Sequence, residues 1–301
     1  MKIIPCKKGY QWETHSCVRA RAYRYDLTIS DFKKDLFPRE MTGYFDSPVI
    51  SALPLQNQRR LLAYHLQDFL EYTVTLEHTI VNPALQLVVT SELFQDFPSK
   101  LKDQAYQFYT DEGYHAYFSH RLSSTVGLNY CLKKSLTASR RITRLAGLSS
   151  SQEIFVPNEI ICFLKAFASE TLISKELANL QLPSISKPVL AMFKDHMYDE
   201  ARHCEFFCEL FVELHKKICL TPMIPVLLDI LDIFFEVDEP NMTHRLLLSE
   251  GNEEDVNGLI ASARTNLIAA KKERCTTPLR VLKRLGLFST AEADIINRGY
   301  A

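Results

Sequence analysis

The sequence predicts an all-α protein, and two observations carry that expectation. Only 9 of the 301 residues are glycine, and apolar residues recur at a spacing of about 3.6 over long stretches, with little strict apolar/polar alternation. The other observation is a repeated pattern, D-E-x-x-H, at Asp111-Glu112-Gly113-Tyr114-His115 and at Asp199-Glu200-Ala201-Arg202-His203, 88 positions apart. The pattern makes chemical sense on a helix. Each residue turns about 100°, so Glu at i and His at i+3 project from one face about one turn apart and can bind one metal ion.

Two such helices would hold two ions. The ferritin-like plan completes the site with a lone Glu from each of two further helices, so a ferritin-like four-helix bundle with additional peripheral helices is expected, in one domain over residues 1–301. Residues 1–50 are irregular and aromatic, are broken by Pro38, Gly43 and Pro48, and read as an N-terminal wrap. The metal-binding bundle is assigned to residues 55–220. Its helical patterns run over 55–93, where Pro83 demands a kink or a break, then over 99–122 and 128–145. After a loop at 147–151 they resume over 157–180 and 187–219, separated by Pro183, Ser184 and Pro188. A crossover over 120–157 would join the two hairpins. Helical patterns at 222–235, 253–272 and 278–285 place covering helices in residues 221–301.

Hydrophobic residues at 47 % and charged residues at 24 % suit a globular protein with a sizeable core. A net charge of -1, from 35 basic and 36 acidic residues, creates no single-sign field, so neither nucleic acid nor a membrane is expected as a partner. The first eight residues lack a secretory apolar stretch, and no apolar run approaches the ~18 residues of a bilayer span. A cytoplasmic location is expected. The eight cysteines include no C-x-x-C pair, the nearest two being Cys204 and Cys208. Neither a zinc ribbon nor a thioredoxin-type motif is present, and most are expected as buried apolar side chains in a reducing compartment.

Register selects the two lone glutamates. On antiparallel neighbours a Glu and its E-x-x-H partner must stand at similar distances from the connecting turn, at ~1.5 Å per residue. Glu170 lies 13 residues before Pro183 and Glu200 lies 12 after Pro188, an even match, whereas Glu176 is too near the turn. In the first hairpin Glu77 lies 17 residues before Phe94 and Glu112 lies 14 after Pro98. Glu92 and Glu71 fit worse. His196 precedes Glu200 by four and His203 by seven, giving H-x-x-x-E-x-x-H on one helical stripe and a candidate third imidazole. Asp111 and Asp199 are expected beside the ligands, each accepting the second N–H of the imidazole on the partner helix.

A single E-x-x-H is a common surface coincidence; two D-E-x-x-H copies with matching hairpin partners are not. His196 could instead be a core histidine bonded to a carboxylate. Tyr114, Tyr117 and Tyr198 read as packing residues. His65, His78, His120, His215 and His244 are left as structural. Arg245 and Arg264 could bind a substrate carboxylate, with surface salt bridging the favoured use of each.

The array Glu77, Glu112-x-x-His115, Glu170, His196-x-x-x-Glu200-x-x-His203 resembles the p-aminobenzoate N-oxygenase family of non-haem dimetal enzymes, over about residues 55–220. His196 is the residue that separates this family from two-histidine ferritin-like proteins. The resemblance implies two iron ions, with manganese as the alternative, that activate dioxygen with electrons from an external reductant. Glu112 and Glu200 would be the bridges and Glu77 and Glu170 terminal ligands, with His115, His196 and His203 completing the set. The implied reaction oxidises a primary amine, an arylamine or an amino-acid-derived amine free or on a carrier protein, to a hydroxylamine, nitroso or nitro product in secondary-metabolite biosynthesis. An electron donor and, by default, a homodimer are the expected partners. The competing readings are another dimetal oxidase or hydroxylase, such as a ribonucleotide reductase radical subunit, a non-catalytic iron-binding protein, and a metal-free helical scaffold.

Overall fold

The computed structural model describes residues 11–133, 137–148, 157–249 and 252–287. The first eight residues, most of the 147–151 loop and the tail beyond Leu287 lie outside them. The chain is all-α and ferritin-like. Among the described residues the sole strand-like pairing is a parallel bridge between Asp35 and Ile185.

Four long segments build the bundle. The first is α1 (Leu55–Leu76), which runs through a widened π turn (Glu77–Val81) into α2 (Asn82–Thr90). The others are α3 (Ser99–Tyr130), α4 (Asn158–Asn179) and α5 (Lys187–Lys217). Pro54, Pro98 and Pro157 stand at the N-caps of α1, α3 and α4, and Pro188 in the first turn of α5, where a missing N–H costs no intrahelical bond. The first segment packs along α3 and α4 along α5.

Pro83 is accommodated by the π turn that precedes it. Proline cannot donate to the carbonyl four residues back and its ring crowds that group, and i→i+5 bonding relieves the crowding while adding a residue to the turn. The expected helix over 128–145 does not form. Instead α3 continues to Tyr130, ends on Cys131 in the left-handed conformation (φ 48°), and a separate short helix occupies Arg140–Gly147.

Past the bundle lie α6 (Ile224–Ile233), α7 (Glu239–Leu248), α8 (Glu253–Arg274) and α9 (Thr276–Arg284). Helix α7 was missed in the sequence because Pro240 and a short mixed run weaken its periodicity. No helix among the described residues is long and apolar enough to cross a membrane. Of seven described cysteines, all free, only Cys17 and Cys275 are fully buried while Cys131 and Cys219 are exposed, fewer inside than composition suggested.

Two apolar clusters fill the bundle, one at each end. One gathers Phe94, Phe108, Phe163, Phe167, Phe206, Phe207 and Phe211 with α6 and α9. The other joins Leu62, Leu66, Phe118, Leu122 and Phe193 to Tyr25 and Leu36 of the N-terminal segment. Each buried Phe contributes about 1.5–3 kcal/mol, so both halves are strongly held. Between them, flanked by Phe108 and Phe118 on α3 and by Phe193 and Phe206 on α5, lies a layer of buried charge.

Candidate metal centre

Glu77, Glu112, His115, Glu170, His196, Glu200 and His203 all stand in this layer, each no more than 2 % exposed. Their atoms form three interlocking groups able to hold cations, each within 4.8 Å: Glu112, His115, Glu200 and His203; Glu77, His196 and Glu200; and Glu77, Glu112 and Glu170. Helices α3 and α5 supply the E-x-x-H pairs, α4 supplies Glu170, and Glu77 opens the π turn. That turn and the 3-10 turn Glu92–Phe94 take up the unequal arms of the first hairpin, 17 residues against 14 in the sequence.

The imidazoles of His115 and His203 point their Nδ1 atoms inward. His115 Nδ1 lies 2.9 Å from Glu112 and 3.1 Å from Glu200, and His203 Nδ1 lies 2.5 Å from Glu112, 3.5 Å from Glu200 and 3.6 Å from Glu170. Their Nε2 atoms point outward to carboxylates on the opposite helix, Asp199 at 3.4 Å and Asp111 at 3.3 Å. His196 Nε2 is 3.0 Å from Glu200 Oε1 but off the hydrogen-bonding direction, so both its ring nitrogens are unsatisfied. Unsatisfied too are oxygens of Glu77, Glu112, Glu170 and Glu200 and Nδ1 of His203.

Buried polar atoms ordinarily have partners, and each buried ion costs several kcal/mol of desolvation even after relaxation. Five carboxylate oxygens, Nδ1 of His203 and one ring nitrogen of His196, buried together without hydrogen-bond partners, therefore fit cations. Four carboxylates balance two divalent ions, and oxygen with imidazole nitrogen suits iron or manganese.

The electrostatics agree. Burial, reinforced by neighbouring carboxylates, lifts Glu77 and Glu170 well above the usual carboxylate range. Burial also raises Glu112 and Glu200, but the adjacent imidazoles outweigh it and both lie below the usual value. His115 and His203 are lifted well above theirs, burial being overcome by Glu112 and the other carboxylates. His196 is lowered by burial and by His115.

An outer layer was missed in the sequence. Short helices Trp12–His15 and Cys17–Ala20 lie against α3 and α5. The Trp12 indole N–H donates to both oxygens of Asp111 at 3.0 Å, the Ser16 hydroxyl donates to Asp111 at 2.9 Å, and the Cys17 backbone N–H donates to Asp199 at 2.9 Å. Asp195, beside His196, accepts both ends of the Arg24 guanidinium at 2.7 and 2.9 Å, the Tyr25 hydroxyl at 3.0 Å, and Arg21. No spacing rule reaches across some 100 or more residues to predict such contacts.

Residues 26–219 match the family described as P-aminobenzoate N-oxygenase AurF. The chain belongs to that family. No curated protein matches the chain. AurF membership extends the assigned region toward the N-terminus of the motif-bearing residues 55–220, and it makes the protein an oxygenase of a diiron-dependent family. The buried Glu/His cluster is compatible with that metal content.

Other expected roles fall differently. Tyr117 is 51 % exposed, and Arg264 is a surface residue paired with Glu239. Arg245 is not a surface bridge: its side chain is 12 % exposed, it pairs with Asp68, and it lines a cavity of about 470 Å3. His65 lines the same cavity and bonds the Tyr44 hydroxyl.

Proposed function

We propose that the protein is a dioxygen-dependent N-oxygenase that converts a primary amine, an arylamine or an amino-acid-derived amine, to a hydroxylamine or a more oxidised nitrogen product. The observation that carries the reading is His196, a third buried imidazole in an otherwise ferritin-like array, its two ring nitrogens lacking hydrogen-bond partners in a chain of the AurF family. Glu112 and Glu200, the two residues closest to both inward imidazoles, would serve both ions, and Glu77, Glu170, His115, His196 and His203 would complete the set. When bound, the iron pair supplies two-electron dioxygen chemistry.

The chain's own residues do the rest. Asp111 and Asp199 fix the tautomers of His203 and His115, holding Nε2–H outward and leaving Nδ1 free to ligate. Phe108, 4.4 Å from the His203 ring, and Phe118, 5.4 Å from His115 and 5.5 Å from His196, keep bulk water from the reacting atoms. The 470 Å3 cavity is lined by Phe69, Tyr72 and Thr75 of α1 and Glu176 of α4. These positions stand two to eight residues from Glu77 and Glu170, roughly 3–12 Å along the helices, and we propose this cavity as the seat of the amine.

Reconstitution with Fe(II), a reductant and dioxygen, followed by mass spectrometry of a panel of arylamines and amino acids, tests the proposal. Addition of oxygen to nitrogen is expected. Oxygen addition confined to C–H bonds would move the protein to the hydroxylases, and uptake of many iron ions per chain without product would make it a storage protein.

A further inference from the structure

The seven clustered side chains are at most 2 % exposed, so an external donor cannot touch the centre and its electrons must cross protein. Two hydrogen-bonded arms lead outward from the inward imidazoles, and they are built alike as far as their aspartates. Beyond these they differ. The His115 arm passes through Asp199 and ends on the Cys17 backbone amide. The His203 arm passes through Asp111 and ends on the indole of Trp12, which donates to both carboxylate oxygens at 3.0 Å.

Trp12 is the chain's one tryptophan and is partly exposed, whereas Asp111 and His203 are 1 % and 0 % exposed. The three side chains thus connect the surface to the cluster through two hydrogen bonds, with conjugated rings at both ends. Trp12 also precedes residues 26–219, the part of the chain that matches the family. The route belongs to this chain's own N-terminal segment.

We propose that Trp12, through Asp111 and His203, carries electrons from an external one-electron donor to the metal pair. The inference rests on the two-iron reading above. Each of two donor molecules loses one electron and each of two ferric ions gains one. No covalent bond forms or breaks, and Asp111 keeps its hydrogen bonds to both rings. The indole is a coupling element and is not itself oxidised.

The test uses full-length protein loaded with iron, oxidised, and mixed without amine or dioxygen with reduced methyl viologen, whose loss of colour reports electron transfer. Trp12→Phe, at equal iron content, is expected to slow reduction by an order of magnitude. Ser16→Ala removes another donor to Asp111 without touching the ring, and is expected to leave the rate unchanged. Equal rates for wild type and Trp12→Phe would overturn the route. So would equal slowing by both variants, or iron loss in Trp12→Phe, since each would make Trp12 a positioning residue for Asp111. A wild-type protein that binds no iron would instead sink the two-iron reading.

Discussion

Asp111 stands one residue before Glu112 on α3, yet its carboxylate meets Nε2 of His203, on α5, at 3.3 Å. Asp199 returns the contact to His115 at 3.4 Å, so each E-x-x-H helix supplies the carboxylate that orients the other helix's imidazole. The repeat in the sequence is a repeat of this exchange. Asp111→Asn keeps the shape but leaves His203 facing a neutral amide, which weakens its basicity and its hold on the outward N–H. Metal affinity is expected to fall about 10–100-fold, read by chelator competition with Mn(II), with the helical circular dichroism unchanged. Unchanged affinity would show that the contact does not tune the site.

His196→Ala separates a ligand from a core histidine. Neither ring nitrogen makes a well-directed hydrogen bond, and the 3.0 Å contact of Nε2 with Glu200 offsets the desolvation of the imidazole only in part. As a ligand its removal should lower metal retention toward one ion per chain, while the metal-free protein keeps its melting temperature or gains slightly. Destabilisation of the metal-free variant by about 2–4 kcal/mol, together with two ions per chain in the loaded variant, would make His196 a packing residue. Plasma emission analysis with thermal melts distinguishes these outcomes.

Much of this arrangement was legible in the sequence because helix geometry is local. The i, i+3 and i, i+4 spacings place Glu112 with His115 and His196 with Glu200 and His203 on single faces, and equal arms from the Pro183–Pro188 turn bring Glu170 level with Glu200. Glu77 fitted less evenly, and the π turn beginning at Glu77 is the reason. What stayed hidden was non-local. Trp12, Ser16 and Cys17 reach Asp111 and Asp199 through the packing of an irregular segment, and Arg24 and Tyr25 reach Asp195 from 171 and 170 residues away. The end of α3 was misplaced because Cys131, a residue with no turn signature, adopts the left-handed conformation that glycine usually fills.

Removing the metal should destabilise the fold. Four carboxylates buried between two apolar halves repel one another unless cations or protons intervene. An ion that binds only the folded state adds about 2.7 kcal/mol at a hundredfold excess over its dissociation constant. Prolonged chelation at neutral pH is therefore expected to lower Tm by several degrees, and Fe(II) or Mn(II), but not Mg(II), to restore it. A Tm indifferent to chelation, in protein shown to have contained metal, would count against a charge layer that needs cations.

His65 stands at the cavity wall beside Tyr44 and is stacked on Phe37 at 5.6 Å. Burial, helped by the positive charge of Arg245, lowers its pKa from 6.5 to about 3. The folded protein therefore keeps it neutral where the unfolded chain takes up a proton. The stability this confers is complete above pH 6.5 and is lost as pH falls from there toward 3. At pH 5 the full shift corresponds to roughly 2 kcal/mol; because the ring is not wholly buried, about 1 kcal/mol is expected. His65→Phe removes the titrating group, so its urea midpoint should decline less between pH 7 and pH 5 than that of the wild type. A parallel decline in both would place the acid sensitivity elsewhere, with the carboxylates and imidazoles of the charge layer as the remaining groups to examine.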